Sequence, residues 1–436
     1  KAAAASPKSP APAPAPRTPG GSPSAPSPPA AESPGGLTLA EQLSQKRANL
    51  KSAAGSSPAA PAPAAAGEPG SATAVAEDPE ERASLLQALQ GLAVRTPLGI
   101  VAAGDVQESS SSSLLGRGRF SSVVRASATS PKSGPMQVAA KRFATGAAAV
   151  PISALRAAVG EVAAKRFATG AAAVPISALR AAVGEVAALS AVGPCPNIVE
   201  LLGVVLPASS GEASGRAPEA PPLQLLLAPS GSSLHELLAS GEEWGELRRR
   251  GRLGLLLDVA RGLAAVHGAG FAHLDVKSHN VLVDRSLEGG WGARLCDFGS
   301  ALRAGPGCPP PPAAGTAGWT APELLEPPLE GPAPDARAAD VFGAGVLIWA
   351  VLSGPGASNP LCGLAGDDYC KALAQGRRPP LPREAEALPE AELAKECWRF
   401  EAAERPAITE ALQRLSEAAD QLGPASASQA CCWTPW

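Results

Sequence analysis

The sequence predicts an α+β protein of two lobes, one rich in strands and one helical, behind a disordered N-terminal tail. Three features carry that expectation. Residues 1–82 are runs of Pro, Ala, Ser and Gly such as "SPAPAPAPRTPGGSPSAPSPPAAESPGG", whose small side chains bury too little area to offset chain entropy. From Leu114 onward, short runs rich in Val and Leu are separated by turn signals. After Ser232 the apolar residues fall into helical spacing. A strand-rich stretch followed by a helical one suggests two lobes facing a cleft.

Taken in order, the tail 1–82 contains a short helical candidate from Leu37 and Ser-Pro steps at Ser6, Ser9, Ser22, Ser27, Ser33 and Ser57, sites where phosphate would add charge to an exposed segment. Residues 83–111 read as a linker with one short helix, "ASLLQALQGLAV" from Ala83. The first lobe, 112–228, holds the strand candidates "SSVVRASA", "MQVAAKRF", "NIVELLGVV" and "LQLLLA" and one helical stretch. The second lobe, 229–420, holds "SLHELLAS", "GLLLDVARGLAAVHG", "DVFGAGVLIWAVLSG", "EAELAKECWRF" and "ITEALQRLSEAADQL", and 421–436 form a C-terminal tail.

Net charge is −3, which supplies no long-range attraction to nucleic acid or an anionic membrane. The longest apolar run, residues 341–352, falls well short of the roughly 20 residues a bilayer span needs, so a cytoplasmic, monomeric protein is expected. The cysteines lack the paired CxxC spacing and accompanying histidines of a zinc site, and reduced thiols are the plain reading. The chain opens on Lys1 rather than methionine, as expected where the natural N-terminus lies upstream.

Three constellations carry chemistry. In "LLGRGRFSSVV", Gly116 and Gly118 sit between strand signals, where small residues let backbone N–H groups approach phosphate oxygens; the third glycine of a GxGxxG pattern is replaced by Ser121. In "FAHLDVKSHNVLV", Asp275, Lys277 and Asn280 occupy a loop between a helix and a strand. A carboxylate there accepts a hydroxyl proton, the lysine balances phosphate charge, and the amide oxygen suits a hard cation such as Mg2+. In "LCDFGSALR", Asp297 offers a carboxylate to Mg2+ and Gly299 lets the backbone turn.

With "VAAK", "GTAGWTAPELL", "DVFGAGV" and "CWRFEAAERP" in the same order, residues 112–420 resemble a eukaryotic protein kinase. "HLD" in place of HRD, "DFGSA" and "GSSLHELL" make the Mos family of serine/threonine kinases the nearest likeness. The resemblance implies ATP and Mg2+ as cofactors, Asp275 as catalytic base, Lys277 as the phosphate-neutralising residue, and Asn280 and Asp297 as metal ligands. It further implies that Val123 and an alanine of "VAAK" cover adenine from above and Leu282 from below, beside a hinge at 227–231. Thr316 would hold the catalytic loop, Asp340 would brace it, and Glu323 would pair with Arg405. A protein substrate such as a MAP kinase kinase, and a role in oocyte meiosis, follow from the likeness to Mos. Leu274 replaces the arginine that would pair with a phosphorylated activation loop, so phosphomimetic changes at Thr316 and Thr320 should not raise activity. His235, His267 and His279 are expected in structural or exposed roles, His273 as a brace beneath Phe298, Cys296 as packing, and Arg248 to Arg250 as a solvated turn.

One segment is written twice: residues 138–161 recur without change at 162–185. Kinase chemistry needs a strand lysine held by a glutamate about twenty residues later, and each copy supplies one: Lys141 with Glu161, Lys165 with Glu185. Lys141 follows the hairpin from the Gly-rich loop, and Glu185 leads into "PCPNIVELLGVV". That context favours Lys141 paired with Glu185, with Pro175 at the first helical position; Lys165 with Glu185, at the usual spacing, is the second choice. A scaffold whose strand-rich lobe is disrupted by the duplication, and a proline-rich tail acting as a ligand for modules that bind extended segments, are the alternatives.

Overall fold

The computed structural model describes residues 78–108, 114–117, 121–130, 134–143, 174–206, 223–285, 290–305, 316–325, 334–364 and 366–423, all within the compact unit 59–436. The helix candidate from Leu37, the Ser-Pro serines, Gly118, Glu161, Lys165 and residues 424–436 lie outside the described residues.

The first lobe is built on a sheet of seven strands: β1 (Gly99–Ile100), β2 (Val106–Glu108), β3 (Leu114–Arg117), β4 (Ser121–Ser130), β5 (Gly134–Phe143), β6 (Leu201–Val205) and β7 (Gln224–Leu227), in the order β1-β6-β7-β5-β4-β2 with β3 also on β4. Only β1 with β6 is parallel. The two-residue period of a strand divides β5 cleanly. Val138 and Ala140 pack with Val124, Ala126, Ala128 and Leu226 on one face, while Ala139 and Phe143 join the large core on the other. That alternation puts Lys141 on the core side.

Two helices cover that side. Helix α1 (Pro79–Ala93) begins earlier than the sequence suggested: Asp78 caps it by accepting from the Glu80 N–H at 2.9 Å, and Pro79 fills the first turn, where no amide partner is lost. Helix α2 (Ile176–Val192) is capped by Pro175 itself, one position before the site expected for it, with the Pro175 carbonyl accepting from Ala178 and Leu179; Gly193 at φ 70° ends it.

The second lobe is mainly helical. After β8 (Ser232–Ser233) come α3 (Leu234–Ala239), α4 (Gly241–Glu246) and α5 (Arg249–Gly268). Ser233 and Glu236 close a capping box on α3. Short strands β9 (Phe271–Ala272), β10 (Val281–Arg285), β11 (Trp291–Leu295) and β12 (Leu302–Arg303) carry the chemical loops, and α6 (Pro322–Leu325), α7 (Ala336–Ser353), α8 (Gly366–Ala374), α9 (Pro389–Cys397) and α10 (Ile408–Asp420) complete the lobe. Helix α7 is apolar and long enough by composition to cross a membrane, but 78% of it is buried inside the protein, where it forms the axis of the lobe's core. A buried core helix accounts for its composition.

The triplet Arg248–Arg250 departs from the solvated turn expected of it. Arg249 opens α5 and clasps Glu390 through Nε and Nη2, each at 2.8 Å, and Arg250 donates to the carbonyls of Ala419 and Gly423. These arginines tie α5 to α9 and to the end of α10, contacts between segments far apart in sequence.

Candidate active site

The loop between β9 and β10 concentrates polar groups in a few residues. Asp275 accepts at Oδ1 from the Thr316 hydroxyl at 2.8 Å, and at Oδ2 from Lys277 Nζ at 2.6 Å and Asn280 Nδ2 at 2.9 Å. Lys277 also donates to Thr316 Oγ1 at 2.7 Å, and Asn280 Nδ2 to the Asp275 carbonyl at 2.8 Å. The structure thus gathers Asp275, Lys277, Asn280 and Thr316 into one network, which fixes the carboxylate's orientation.

Asp340, buried on α7, holds the loop from beneath. Its oxygens accept from the backbone N–H of His273 and of Leu274, both at 2.7 Å, and from His267 Nε2 at 2.8 Å. These charge-assisted bonds offset the cost of Leu274, a non-glycine residue at φ 62°. The Leu274 side chain packs with Ala272, Ala321, Leu324 and Phe342, so apolar contact stands where the resemblance would put a cation. His267 is therefore structural but engaged, with a role in the brace that sequence reasoning did not assign. His273 is fully buried with its ring 4.7 Å from Phe298. Its Nε2 lies 3.0 Å from the Cys296 carbonyl and its Nδ1 accepts from the Asp275 N–H at 3.3 Å, which assigns the proton to Nε2.

The other half of the site comes from three distant segments. Lys141 Nζ lies 2.8 and 2.7 Å from Glu185 Oε1 and Oε2, and 2.7 Å from Asp297 Oδ1. The structure joins Lys141 to Glu185, while Lys165 and Glu161 lie outside the described residues. Burial alone would lower the lysine's pKa; the charges of Glu185 and then Asp297 outweigh it and raise it. Burial raises the Glu185 pKa against the pull of Lys141. Burial pushes Asp297 the same way, but there Lys141 prevails and the carboxyl stays below its usual range. One cation thus faces two carboxylates, an arrangement with room for further positive charge.

Asp297, at φ 60°, turns the chain into Phe298–Ser300. A Cβ on Gly299 would sit 3.3 Å from Asp297 Oδ1, so the glycine leaves a cradle at that oxygen. Asn280 spends its amide nitrogen on Asp275, and its amide oxygen remains an acceptor. A carboxylate and an amide oxygen are the hard donors Mg2+ prefers, and the residues present fit that ion.

Val123 and Leu282 pack at the rim of the core that contains Ala139, and Val123 is in register with both Gly116 and Lys141. The β3–β4 pairing shifts between Leu114 and Gly116, a local irregularity beside the loop. After β7 the hinge is pinned by Asp284, which accepts from Ser230 Oγ at 2.6 Å and from the Gly231 N–H at 2.5 Å. A Cβ on Gly231 would fall 2.3 Å from the Val283 carbonyl, so only glycine fits. Asp284 could not be singled out from the sequence, where its local signal is no more than a carboxylate near the end of an apolar strand.

Farther out, Arg405 clasps Glu323 at 2.6 and 2.8 Å and stacks 5.1 Å over Phe342. Thr320 is buried and donates to the Thr316 carbonyl at 2.7 Å. The Cys296 thiol is pushed well up by burial, then by Asp297, which makes it a poor nucleophile. His235 and His279 stack with centroids 3.7 Å apart.

The protein kinase domain model matches residues 144–415, a stretch that begins after Lys141 and includes the second copy of the repeat. The serine/threonine-protein kinase CTR1 of Arabidopsis thaliana is 33% identical over 193 residues, 43% of this chain and 22% of CTR1. The probable kinase SIS8 of the same plant is 32% identical over 39% of the chain and 16% of its own length. The serine/threonine-protein kinase mos of Patiria pectinifera is 32% identical over 38% of the chain and 46% of its own length. The aligned stretch spans less than half the length of each of these relatives, and Mos stands level with the plant kinases. The match over residues 144–415, more than half of the chain, places the protein in the protein kinase family.

Proposed function

We propose that the protein transfers the terminal phosphoryl group of ATP to serine or threonine hydroxyls of a protein substrate. The observation that carries this reading is the single network of Asp275, Lys277, Asn280 and Thr316. Asp275 would accept the proton of the attacking hydroxyl, since its carboxylate is held in place from three sides. Lys277 would balance charge on the transferred phosphoryl group. Lys141, steadied by Glu185, would hold the α and β phosphates, with the glycines of 116–118 closing over them and Val123, Ala139 and Leu282 enclosing the adenine. Asn280 and Asp297 would bind Mg2+, which supplies positive charge between the phosphates.

At the finer level, the likeness to Mos in "HLD", "DFGSA" and "GSSLHELL" and the 32% identity to mos support a cytoplasmic monomer that acts on a MAP kinase kinase, upstream in a MAP kinase cascade serving oocyte meiosis. The test is radiolabel transfer from ATP by the purified chain, with Mg2+, to an inactive MAP kinase kinase and to a generic serine-containing protein. Preferred labelling of the MAP kinase kinase supports both levels. Labelling of the generic protein alone removes the cascade assignment, and labelling of neither favours a scaffold without phosphoryl transfer.

A further inference from the structure

Helix α2 carries Glu185, and what holds α2 in place is therefore part of how the site is assembled. In a short strand-to-helix connection the preceding strand limits where the helix can sit. Here residues 144–173 separate the end of β5 from Val174 in sequence, far more than a short connection. Helix α1 supplies other anchors. Arg82 Nη1 donates to the Val174 carbonyl at 2.8 Å, at the residue from which α2 departs. Arg180, on the first turns of α2, donates through Nε to Glu81 at 2.6 Å. Leu89 and Ala93, both fully buried, belong to the same core as Ala178, Leu179, Ala182 and Val186 of α2, with Leu85, Leu86 and Leu92 packed against it. These positions recur at helical spacing and give α1 a stripe aimed at α2.

Helix α2 also meets the turn after Asp297, where a Cβ on Gly184 would lie 3.4 Å from the Ala301 carbonyl. Helix α2 is therefore held both by α1 and by that turn, the second contact falling one residue before Glu185. We infer that α1, which precedes the stretch matched by the kinase domain model, is an intramolecular clamp that positions Glu185 against Lys141, with Arg82 and Leu89 as its positioning residues. The inference rests on the site reading proposed above.

The test compares full-length Arg82→Ala, Arg82→Lys and Leu89→Ala with the parent chain, by kcat/KM for ATP and by amide hydrogen exchange. Arg82→Ala and Leu89→Ala should lower kcat/KM by about tenfold, less than the roughly hundredfold that a full 1 Å misplacement of a catalytic group can cost. They should speed exchange in residues 176–192 and leave 336–353 protected, and Arg82→Lys, which can still donate to the Val174 carbonyl, should restore both readouts. Unchanged exchange in 176–192, or exchange that rises equally in 336–353, overturns the clamp. Exchange is readable without catalysis. A parent chain that transfers no phosphate therefore refutes the functional proposal, while the response of 176–192 still decides the clamp.

Discussion

The two halves of the site are held by different means. On the helical side, Asp275, Lys277 and Asn280 lie within one loop and bond to one another, and Asp340 and Thr316 supply the remaining support. On the strand side, Lys141, Glu185 and Asp297 come from a strand, a helix and a turn far apart in sequence, joined by ion pairs that form only when the three elements pack together. The first half is a local structure braced from below. The second is an encounter that fails if any of three elements drifts, and the clamp from α1 belongs to that side alone.

Substitutions should expose this contrast. The largest effect is expected at Asp275: Asp275→Asn should lower kcat by about a thousandfold, within the range for losing a general base, with KM for ATP nearly unchanged in steady-state assays. On the strand side, Lys141→Met should cost roughly a hundredfold in kcat/KM for ATP. Lys165→Met, assayed alongside, should behave as the parent chain. Loss at 165 with activity kept at 141 would mean that the other copy forms the pair and would dissolve the contrast as drawn.

Outside the chemistry, Arg405→Ala leaves the buried Glu323 unpaired and should lower stability by about 3 kcal/mol in urea unfolding, with the loss confined to the helical lobe. The smallest effect concerns pH. Burial, then His235 and Lys277, bring the His279 pKa down to about 4 from its ordinary 6.5. A histidine kept neutral by the fold gains its proton on unfolding, so its contribution is whole above pH 6.5 and is lost as pH falls toward 4. Because His279 is only partly shielded from solvent, the dependence should be shallow. His279→Gln should flatten a plot of Tm against pH over that window, and an unchanged slope would assign the dependence to another group.

Much of this was legible in the residues, for reasons that differ by region. The division into a strand-rich and a helical lobe followed from the change of apolar period, which reports local geometry directly. The network around Asp275 was readable because its members share one loop. The roles of Arg249, His267 and Asp284 were not, since each bonds to a partner on another element: Glu390, Asp340, and Ser230 with Gly231. Helix α1 was visible as a stripe but read as part of a linker, because nothing in a stripe names the surface it will cover.

The repeat marks the boundary between these two kinds of knowledge. The amino-acid sequence alone determined the order of the motifs, the kinase resemblance and the residue types at the site, because those depend on neighbours along the chain. Two identical strings have identical local preferences, and context could only favour one pairing. The tertiary contacts lie elsewhere: β5 pairs Lys141 with Val123 on one side and Leu225 on the other, and α1 packs on the helix that brings Glu185 to it. Register and packing are set between distant segments, which no local preference can encode.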